Sequence, residues 1–376
     1  MKKRMDKHLK RKKYEIAALL SSVIIFLTAG GTYYFRANAK IQAEAAKKTV
    51  QQQKSLTAEK TEKANAIMSF AGDCTIGYDN NFGYANTFPA VFKSHNSDYS
   101  YFFKNVKDIF SKDDLTAVNL EGTFTSATVK AVKTYNFKSS PDFAKVLTAG
   151  GIEAVNISNN HIYDYLNQGF ADTKTALSNE KINYFGEGNK YITEIRGIKF
   201  GFLGYNAFSG NQSFLNTLKA DITSLKAQGC IVIINFHFGV EGSYTPNQSQ
   251  KNIAHFAVDN GADMIIGHHP HVIQGIETYK NKIICYSMGN FCFGGNTNPS
   301  DKDTFIIQAD FKTENKKLVS YGVRIIPCSL SSVTYTNDYC PTPKTGSSKD
   351  SFLSRLSKLS PDAGFNISDQ FYYIKQ

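Results

Sequence analysis

No two cysteines of this sequence stand in C-x-x-C spacing, Trp is absent, and no internal repeat is found. The first absence excludes a zinc ribbon and a thioredoxin-type motif, and the last excludes a repeat architecture. The missing Trp leaves 21 Tyr and 28 Phe to supply the aromatic core. Cys230 and Cys285 lie in apolar runs and are predicted to be buried thiols, whereas Cys328 and Cys340 are a candidate pair if the compartment is oxidising.

Basic charge is concentrated at the N-terminus. The formal net charge is +11, but the first thirteen residues carry eight Lys or Arg and one Asp, which is +7 of the total. Only +4 is left for the rest of the chain, so we predict no nucleic-acid partner. With 376 residues and 41% hydrophobic content, the chain can bury one large core or two modest ones.

An uncharged run of twenty residues, Ile16 to Phe35, follows the basic tail. A helix of this length crosses a hydrocarbon core of roughly 30 Å, so the run predicts a transmembrane segment. Because flanking Lys and Arg stay cytoplasmic, a single-pass anchor in the cell membrane would place the rest of the chain outside. The alternative is a cleaved signal peptide, since Ala37-Asn38-Ala39 has the small-x-small pattern of a cleavage site; the length of the apolar run favours the anchor.

Composition divides the chain into five segments. We predict a basic cytoplasmic tail over 1–15, the transmembrane signal-anchor over 16–35, a helical or flexible stalk over 36–65, a principal domain over 66–300, and C-terminal strands with an exposed loop at 341–349 over 301–376. Within the domain, short apolar runs that end in polar residues alternate with helices (164–179 and 247–260) and hairpins (192–205 and 273–286). This alternation predicts a layered α/β fold.

Histidines at the ends of apolar runs are the main functional signal, and five of the eight histidines lie there. The segment Gly267-His268-His269-Pro270-His271 presents three imidazoles within four positions after an expected strand. Imidazole suits Zn, Fe or Mn, and an H-x-H pair such as His269 and His271 puts two rings on one side of an extended chain. The alternative is a polar turn whose histidines are only hydrogen-bonded.

Other strand ends supply further candidate ligands. Asp73 and Glu121 offer the terminal and bridging carboxylates that a dinuclear site needs, and the amide oxygen of Asn160 can bind a hard cation. His237 adds one more imidazole, with Glu241 beside it. Taken singly, each carboxylate is equally consistent with a turn or a helix cap.

One histidine is a candidate acid. His161 follows an Asn-rich strand end, Asp164 lies three residues further on, and the imidazole can protonate a leaving oxygen. His255 lies inside the predicted helix over 247–260 and is assigned to packing or to the surface. Ser287 has no base paired with it in the sequence, which argues against a serine hydrolase.

In their order along the chain, these motifs resemble the capsule-synthesis CapA/PgsA (poly-γ-glutamate synthesis) family, distantly related to calcineurin-like metallophosphatases. The resemblance covers roughly Ile67 to Gly295 and rests on six motifs: Gly72-Asp73, Asn119-Leu120-Glu121, Asn159-Asn160-His161 with Asp164, His237-Phe238-Gly239, Gly267-His268-His269-Pro270-His271, and Tyr286-Ser287-Met288-Gly289-Asn290-Phe291. It implies a four-layer αββα metallophosphatase-like sandwich, with the site at the strand ends.

The resemblance also implies the roles of individual residues. It implies a dinuclear centre of divalent Mn, Fe or Zn, in which Glu121 stands at the bridging position and the other metal ligands are Asp73, Asn160, His237, His269 and His271. It further implies a catalytic pair, His161 as general acid with Asp164. One position departs from the phosphatase pattern: a His usually stands two residues after the first Asp, and here that residue is Thr75.

Two functions follow as expectations. The first is a membrane-anchored, extracytoplasmic protein of capsule (poly-γ-glutamate) biosynthesis or export with a metal-dependent, phosphoesterase-like hydrolase site. The alternative, favoured by Thr75, is a non-catalytic anchored subunit of a polymer synthesis and export complex. The membrane is the expected partner in both cases, together with a polyglutamate polymer or capsule-synthesis membrane proteins.

Overall fold

The structure, a computed structural model, describes residues 2–56 and 62–376. The chain divides into two compact units, Met1–Thr61 and Glu62–Gln376. Helix α1 (Lys2–Leu56) makes up the described part of the first unit. Among the described residues it is the one helix long and apolar enough to cross a membrane, a test that an N-terminal signal sequence also passes. The predicted stalk is helical as far as Leu56, and its residues 57–61 lie outside the described residues. Its last three residues, 63–65, belong instead to the first strand of the second unit.

Three sheets form the second unit. The first has eight strands, β1 (Lys63–Cys74), β3 (Leu115–Leu120), β6 (Ala154–Asn156), β7 (Asn183–Phe185), β14 (Asp303–Glu314), β15 (Lys317–Ser329), β16 (Thr342–Pro343) and β17 (Tyr372–Lys375). The second has six, β8 (Tyr191–Ile195), β9 (Ile198–Asn206), β10 (Ile231–His237), β11 (Met264–His268), β12 (Ile276–Tyr279) and β13 (Lys282–Cys285). The third is small, with β2 (Tyr78–Asp79), β4 (Thr123–Phe124) and β5 (Phe137–Ser139).

The central strands of both large sheets are parallel. The first sheet has the order β16-β15-β14-β1-β3-β6-β7, with β17 on β15, and its strands β1, β3, β6 and β7 run in one direction. The second sheet has the order β12-β13-β11-β10-β9-β8, in which β9, β10, β11 and β13 are parallel. Every residue of β10 is buried, as expected for a parallel strand covered on both faces.

Seven further helices and two short 3-10 helices complete the unit. They are α2 (Phe88–Ser94), α3 (Lys107–Phe110), α4 (Lys145–Gly150), α5 (Leu166–Asn179), α6 (Gln212–Ala227), α7 (Gln248–Asp259) and α8 (Gly346–Leu359), with 3-10 turns at Tyr99–Phe103 and Pro141–Ala144. Helix α7 begins with a capping box in which Asn247 and Gln250 bond reciprocally to each other's backbone. The helices predicted over 164–179 and 247–260 are therefore confirmed as α5 and α7.

Three apolar clusters hold the layers together. One cluster joins strands of both large sheets, for example Phe70 of β1 with Ile233 of β10. A second packs the other face of the first sheet against α4 and α5, and a third packs the second sheet against α6 and α7. Each large sheet thus buries both faces, which confirms the predicted layered α/β fold.

Both predicted hairpins are present. Strands β8 and β9 turn at Arg196 and Gly197, and β12 and β13 turn at Lys280 and Asn281. All four turn residues have positive φ, between 49° and 80°. Two consecutive residues of positive φ are typical of the two-residue turns whose twist matches the flanking strands.

The C-terminal region differs from its prediction in two respects. Residues 341–349 are not an exposed loop, because β16 pairs with β15 and α8 begins at Gly346. The polar start of α8 concealed the helix, whose apolar stripe begins only at Phe352. All six cysteines are buried and free, so the candidate pair of Cys328 and Cys340 is not formed.

Asp113, in the turn before β3, is expected to make stability depend on pH. Burial raises the pKa of this carboxyl to about 7, against hydrogen bonds from Ser69 and Thr116 that lower it. The folded pKa lies above that of the unfolded chain, so stability falls as pH rises from about 4 to about 7. Discounted for partial exposure, Asp113→Asn should therefore raise the free energy of unfolding by on the order of 1 kcal/mol at pH 8 and change it little at pH 4.

Urea unfolding followed by near-ultraviolet circular dichroism at pH 4 and pH 8 measures this difference. Asp350→Asn, on the exposed side of α8, removes the same charge and should be neutral at both pH values. Equal effects of Asp113→Asn at pH 4 and pH 8 would contradict the prediction.

Candidate metal centre

The candidate centre forms where parallel strands of both large sheets end. In the first sheet, β1 ends just after Asp73 and β3 ends just before Glu121. In the second sheet, β10 ends at His237 and β11 ends at His268. All four side chains are buried. The carboxyl ends of parallel strands are where α/β sheets commonly place their functional groups, as the sequence predicted for this chain.

Two glycines allow the strand ends to come close to the segment after β13. A Cβ atom on Gly72 would lie 2.0 Å from the carbonyl oxygen of Gly289, and one on Gly267 would lie 2.0 Å from that of Tyr286. The backbone N–H of Asp73 donates to the same Gly289 oxygen at 2.9 Å. Any larger residue at position 72 would push β1 away from this segment, so the Gly-Asp sequence has a steric cause.

The carboxylate of Asp73 is surrounded by nitrogen atoms. Its Oδ1 accepts a hydrogen bond from Asn119 Nδ2 at 2.8 Å and lies 3.3 Å from His268 Nδ1. Its Oδ2 accepts from the backbone N–H of His269 at 3.2 Å and lies 3.5 Å from His271 Nδ1. Burial alone would raise the pKa of Asp73, but His268 and the neighbouring imidazoles hold it well below its usual range. The carboxylate is therefore ionised.

Glu121 is buried without any hydrogen bond to either carboxylate oxygen. Its Oε1 lies 3.7 Å from His237 Nε2 and 3.9 Å from both His161 Nε2 and His271 Nε2. Burial, and then the charge of Asp73, raises the pKa of Glu121 well above its usual range. An unpaired carboxylate at full burial costs on the order of several kcal/mol when ionised, and a cation beside it removes that cost.

The distances around Glu121 fit a shared metal ion. Two ligands that each lie about 2.1 Å from one ion can be no more than about 4.2 Å apart, and the separations of Glu121 Oε1 from His237 Nε2 and from His271 Nε2 fall within that limit. One ligand atom each of Asp73, Glu121 and His271 lie within 4.8 Å of one another. This set of hard and borderline donors therefore fits a divalent metal.

Two further imidazoles, those of His237 and His269, lie close together in the centre. His237 Nε2 is 2.8 Å from Asn160 Oδ1, and the His237 ring centroid is 4.8 Å from that of His269. His269 Nδ1 is buried without a hydrogen-bond partner. Burial lowers the pKa of His237 well below its usual range and that of His269 to about 4. Both rings are neutral at physiological pH, which is the form that binds metal.

The six predicted metal ligands therefore lie close together. The expectation that His269 and His271 share one side of an extended chain was wrong. Strand β11 ends at His268, and His269 and His271 have φ values of 97° and 59° on either side of Pro270. Their rings converge through a turn of positive φ, not because alternate residues of an extended chain share a face. Such conformations cost on the order of 1–3 kcal/mol each and persist where the surrounding structure enforces them.

His161 faces the centre with one ring nitrogen and contacts Asp164 with the other. Its Nδ1 lies 2.8 Å from Asp164 Oδ2, which leaves Nε2 on the side of Glu121. Asp164 is fully buried and also accepts from Lys133 Nζ at 2.7 Å and from the backbone N–H of Phe137 at 2.6 Å. Burial lowers the pKa of His161, and the Asp164 carboxylate opposes that shift. Asp164 thus positions His161 from the side remote from Glu121.

Sequence reasoning missed four residues that orient the ligands. His268 bonds Asn235 Oδ1 through Nε2 at 3.0 Å and presents Nδ1 to Asp73. Asn119 bonds Asp73, and Asn290 lies 2.8 Å from His271 Nδ1. These three residues stand inside motifs that the sequence had singled out, so their positions were available as a signal. Lys133 comes from an irregular segment with no local pattern, and only the fold brings it to Asp164.

Two other residues behave as the sequence suggested. Thr75 is buried and its hydroxyl has no hydrogen-bond partner, so this position contributes no imidazole to the centre. His255 lies outside the centre, where its Nε2 is 2.8 Å from Glu277 and its ring stacks on Tyr279. The assignment of His255 to packing or to the surface is therefore confirmed.

A cleft of about 680 Å³ opens onto the centre. Its polar lining includes His161, His271, Asn290 and Glu241, and its apolar lining consists largely of four aromatic rings, Phe82, Tyr135, Phe137 and Phe293. The ring of Phe137 lies 4.5 Å from that of His161, and the ring of Phe293 lies 4.9 Å from that of His271. A small organic molecule in this cleft would therefore contact both the aromatic rings and the imidazoles.

Comparison with known proteins identifies the family. The family described as bacterial capsule synthesis protein PGA_cap matches residues 67–295, a range that contains all eight predicted site residues. The chain belongs to this PGA_cap family. The PGA biosynthesis protein CapA of Bacillus subtilis (strain 168) is 32% identical over 51% of this chain and 56% of its own length. The capsule biosynthesis protein CapA of Bacillus anthracis is 28% identical over 60% of this chain and 58% of its own length.

More distant similarities are also found. A probable polyglutamine synthesis accessory protein of Mycobacterium tuberculosis (strain CDC 1551 / Oshkosh) is 26% identical over 47% of this chain and 55% of its own length. This PGA_cap chain thus spans a little over half the length of these curated relatives. The crystal structure of TT1561 of Thermus thermophilus covers 65% of this chain and 94% of its own at 10% identity, with a TM-score of 0.40, at which no common fold is inferred.

We expect divalent metal to stabilise this protein through Glu121. Saturation with Mn²⁺ or Zn²⁺ at about 100 times the Kd should add about 2.7 kcal/mol to the free energy of unfolding. Glu121→Gln removes a carboxyl group whose burial without a partner is unfavourable, so it should raise the Tm of the metal-free protein by a few degrees and abolish most of the metal-induced increase.

Calorimetry of the chelator-treated protein, with and without added metal, measures both effects. Excess chelator should reverse the increase in the unmodified chain. An equal metal-induced increase in Glu121→Gln would show that this carboxylate is not a ligand.

Proposed function

We propose that this PGA_cap protein is a membrane-anchored, extracytoplasmic protein of capsule (poly-γ-glutamate) biosynthesis or export, with a divalent-metal-dependent hydrolase site of the phosphoesterase type. One observation carries the proposal: the buried Glu121 carboxylate has no hydrogen bond and has three imidazole nitrogens at 3.7–3.9 Å. We further infer that the helix and sheet layers form the four-layer sandwich of metallophosphatases.

The same residues would hold the divalent metal of the centre. Asp73 and Glu121 would supply carboxylate oxygens, Asn160 an amide oxygen, and the three histidines His237, His269 and His271 imidazole nitrogens. When bound, divalent ions supply Lewis acidity that stabilises negative charge developing on a phosphoryl group and activates water.

His161 would protonate the leaving oxygen. Its Nε2 faces Glu121, while its Nδ1 is directed to Asp164. Burial lowers the pKa of His161, and the Asp164 carboxylate opposes that shift by stabilising the protonated ring. In the protonated ring, the proton on Nε2 would pass to the leaving group. Lys133 compensates the buried charge of Asp164 and so helps to hold this pair in place. His161 is thus the proposed catalytic residue, and Asp164 and Lys133 are positioning residues.

The hydrolase proposal predicts that His161→Ala lowers kcat on an aryl phosphoester by about 10²–10⁴-fold. Because the ligands remain, the bound metal measured by elemental analysis should not change. Turnover of bis-p-nitrophenyl phosphate by the Mn²⁺-loaded full chain in detergent measures the rate. His95→Ala removes an exposed imidazole just after α2 and should keep full activity. Unchanged turnover in His161→Ala would refute the proposed acid.

A non-catalytic subunit is the second candidate, because Thr75 supplies no ligand and its buried hydroxyl is unpartnered. In this case the ligands would have a structural role only. Secretion of polymer by a strain that carries His269→Ala with His271→Ala, combined with its loss on deletion of residues 62–376, would favour the subunit over the hydrolase.

The anchor proposal predicts that the chain stays in the membrane fraction after an alkaline carbonate wash, with residues 16–35 intact. Mass spectrometry of the purified protein locates its N-terminus. Replacement of residues 1–35 by a cleavable signal peptide should release the protein from the membrane. A mature N-terminus at Lys40, immediately after the Ala37-Asn38-Ala39 pattern, would instead establish cleavage.

A further inference from the structure

Glu241 is a carboxylate at the mouth of the centre that neither the family resemblance nor the proposed ligand set uses. It lies in the loop between β10 and α7, is exposed, and lines the cleft. One ligand atom each of Glu241, His269 and His271 lie within 4.8 Å of one another. Exposed carboxylates are common, so this proximity alone does not define a site.

Two further observations concern the same place. His269 is only 7% exposed, and its Nδ1 is buried without a hydrogen-bond partner, so the ring lacks a protein partner that would satisfy it. The backbone N–H of Gly242 donates to the carbonyl oxygen of Pro270 at 2.8 Å. This bond ties the residue after Glu241 to the residue between His269 and His271, and it holds the three side chains on two linked loops.

The donor chemistry is consistent with a cation at this position. Asp73, Glu121 and Glu241 place three carboxyl groups among the imidazoles of the centre. Two imidazoles and a carboxylate, with the remaining positions open to the cleft, are a known ligand set for Zn²⁺ and Fe²⁺.

We propose that Glu241 is a metal ligand, which with His269 and His271 forms the outer, solvent-facing cation position of the centre. This inference extends the metal site of the proposed function by one residue. Because Glu241 is exposed, the outer ion exchanges with solvent more readily than an ion held by the buried Asp73 and Glu121. The outer position is therefore the one that fills last and empties first.

Mn²⁺ binding to the full chain in detergent tests the proposal without any assay of turnover. Isothermal titration of the chelator-treated protein gives the stoichiometry and the affinity of each site, and electron paramagnetic resonance counts free Mn²⁺. Glu241→Gln keeps the shape of the side chain and removes its charge. We expect it to weaken the lower-affinity site at least about tenfold and to leave the tighter site unchanged. Glu194→Gln, an exposed carboxylate on β8, is the matched control and should bind as the unmodified chain does.

Equal affinity and stoichiometry in Glu241→Gln and the unmodified chain would overturn the assignment of Glu241 and leave the metal-dependent hydrolase standing. Absence of Mn²⁺ and Zn²⁺ binding in the unmodified chain would overturn both. Weakened binding in Glu241→Gln, together with an unmodified chain that binds metal and hydrolyses no phosphoester, would uphold the ligand and refute the hydrolase.

Discussion

The buried carboxylate of Asp73 links the two large sheets at the edge where the candidate centre lies. It stands at the end of the central strand of the first sheet, accepts a hydrogen bond from Asn119 of the neighbouring strand, and faces His268 at the end of β11 in the second sheet. The backbone N–H of Asp73 donates to the carbonyl oxygen of Gly289. This close approach requires glycine at position 72, because a Cβ atom there would clash with the same oxygen. A buried ionised group needs such partners, so the position of β11 and of the loops around it depends on where this charge lies.

Glu121 is buried as deeply as Asp73, but its environment has the opposite effect on its charge. Asp73 has donors on both oxygens and stays ionised, whereas Glu121 has none and its pKa is raised. Two buried carboxyl groups with pKa values displaced in opposite directions are typical of functional sites. If the centre binds a divalent cation, as proposed, binding would also stabilise the folded domain, because the cation would remove the cost of burying Glu121 without a partner.

The sequence predicted those parts of the site that depend on local pattern. Apolar runs that end in polar residues located β1, β3, β10 and β11, and hence Asp73, Glu121 and His237. Contacts between distant segments have no local sequence pattern and could not be predicted. The hydrogen bond from Lys133 to Asp164, for example, depends on the third sheet and an irregular loop. The positive φ of His269 and His271 was equally hidden, because tertiary contacts override the extended conformation that the spacing favours. Helix α8 was not predicted because its first turn is polar.

The six buried thiols limit how the chain can reach its native state outside a reducing compartment. In the fold, burial raises the pKa of all six, so the thiolate that drives disulfide exchange is scarce. Before folding, the same thiols are accessible and of ordinary acidity, and any disulfide among them would block the packing of the core. If the domain folds on the outer face of a membrane, as proposed, burial of the thiols must be faster than their oxidation. A host with an efficient extracytoplasmic oxidase would then produce misfolded protein from the same sequence.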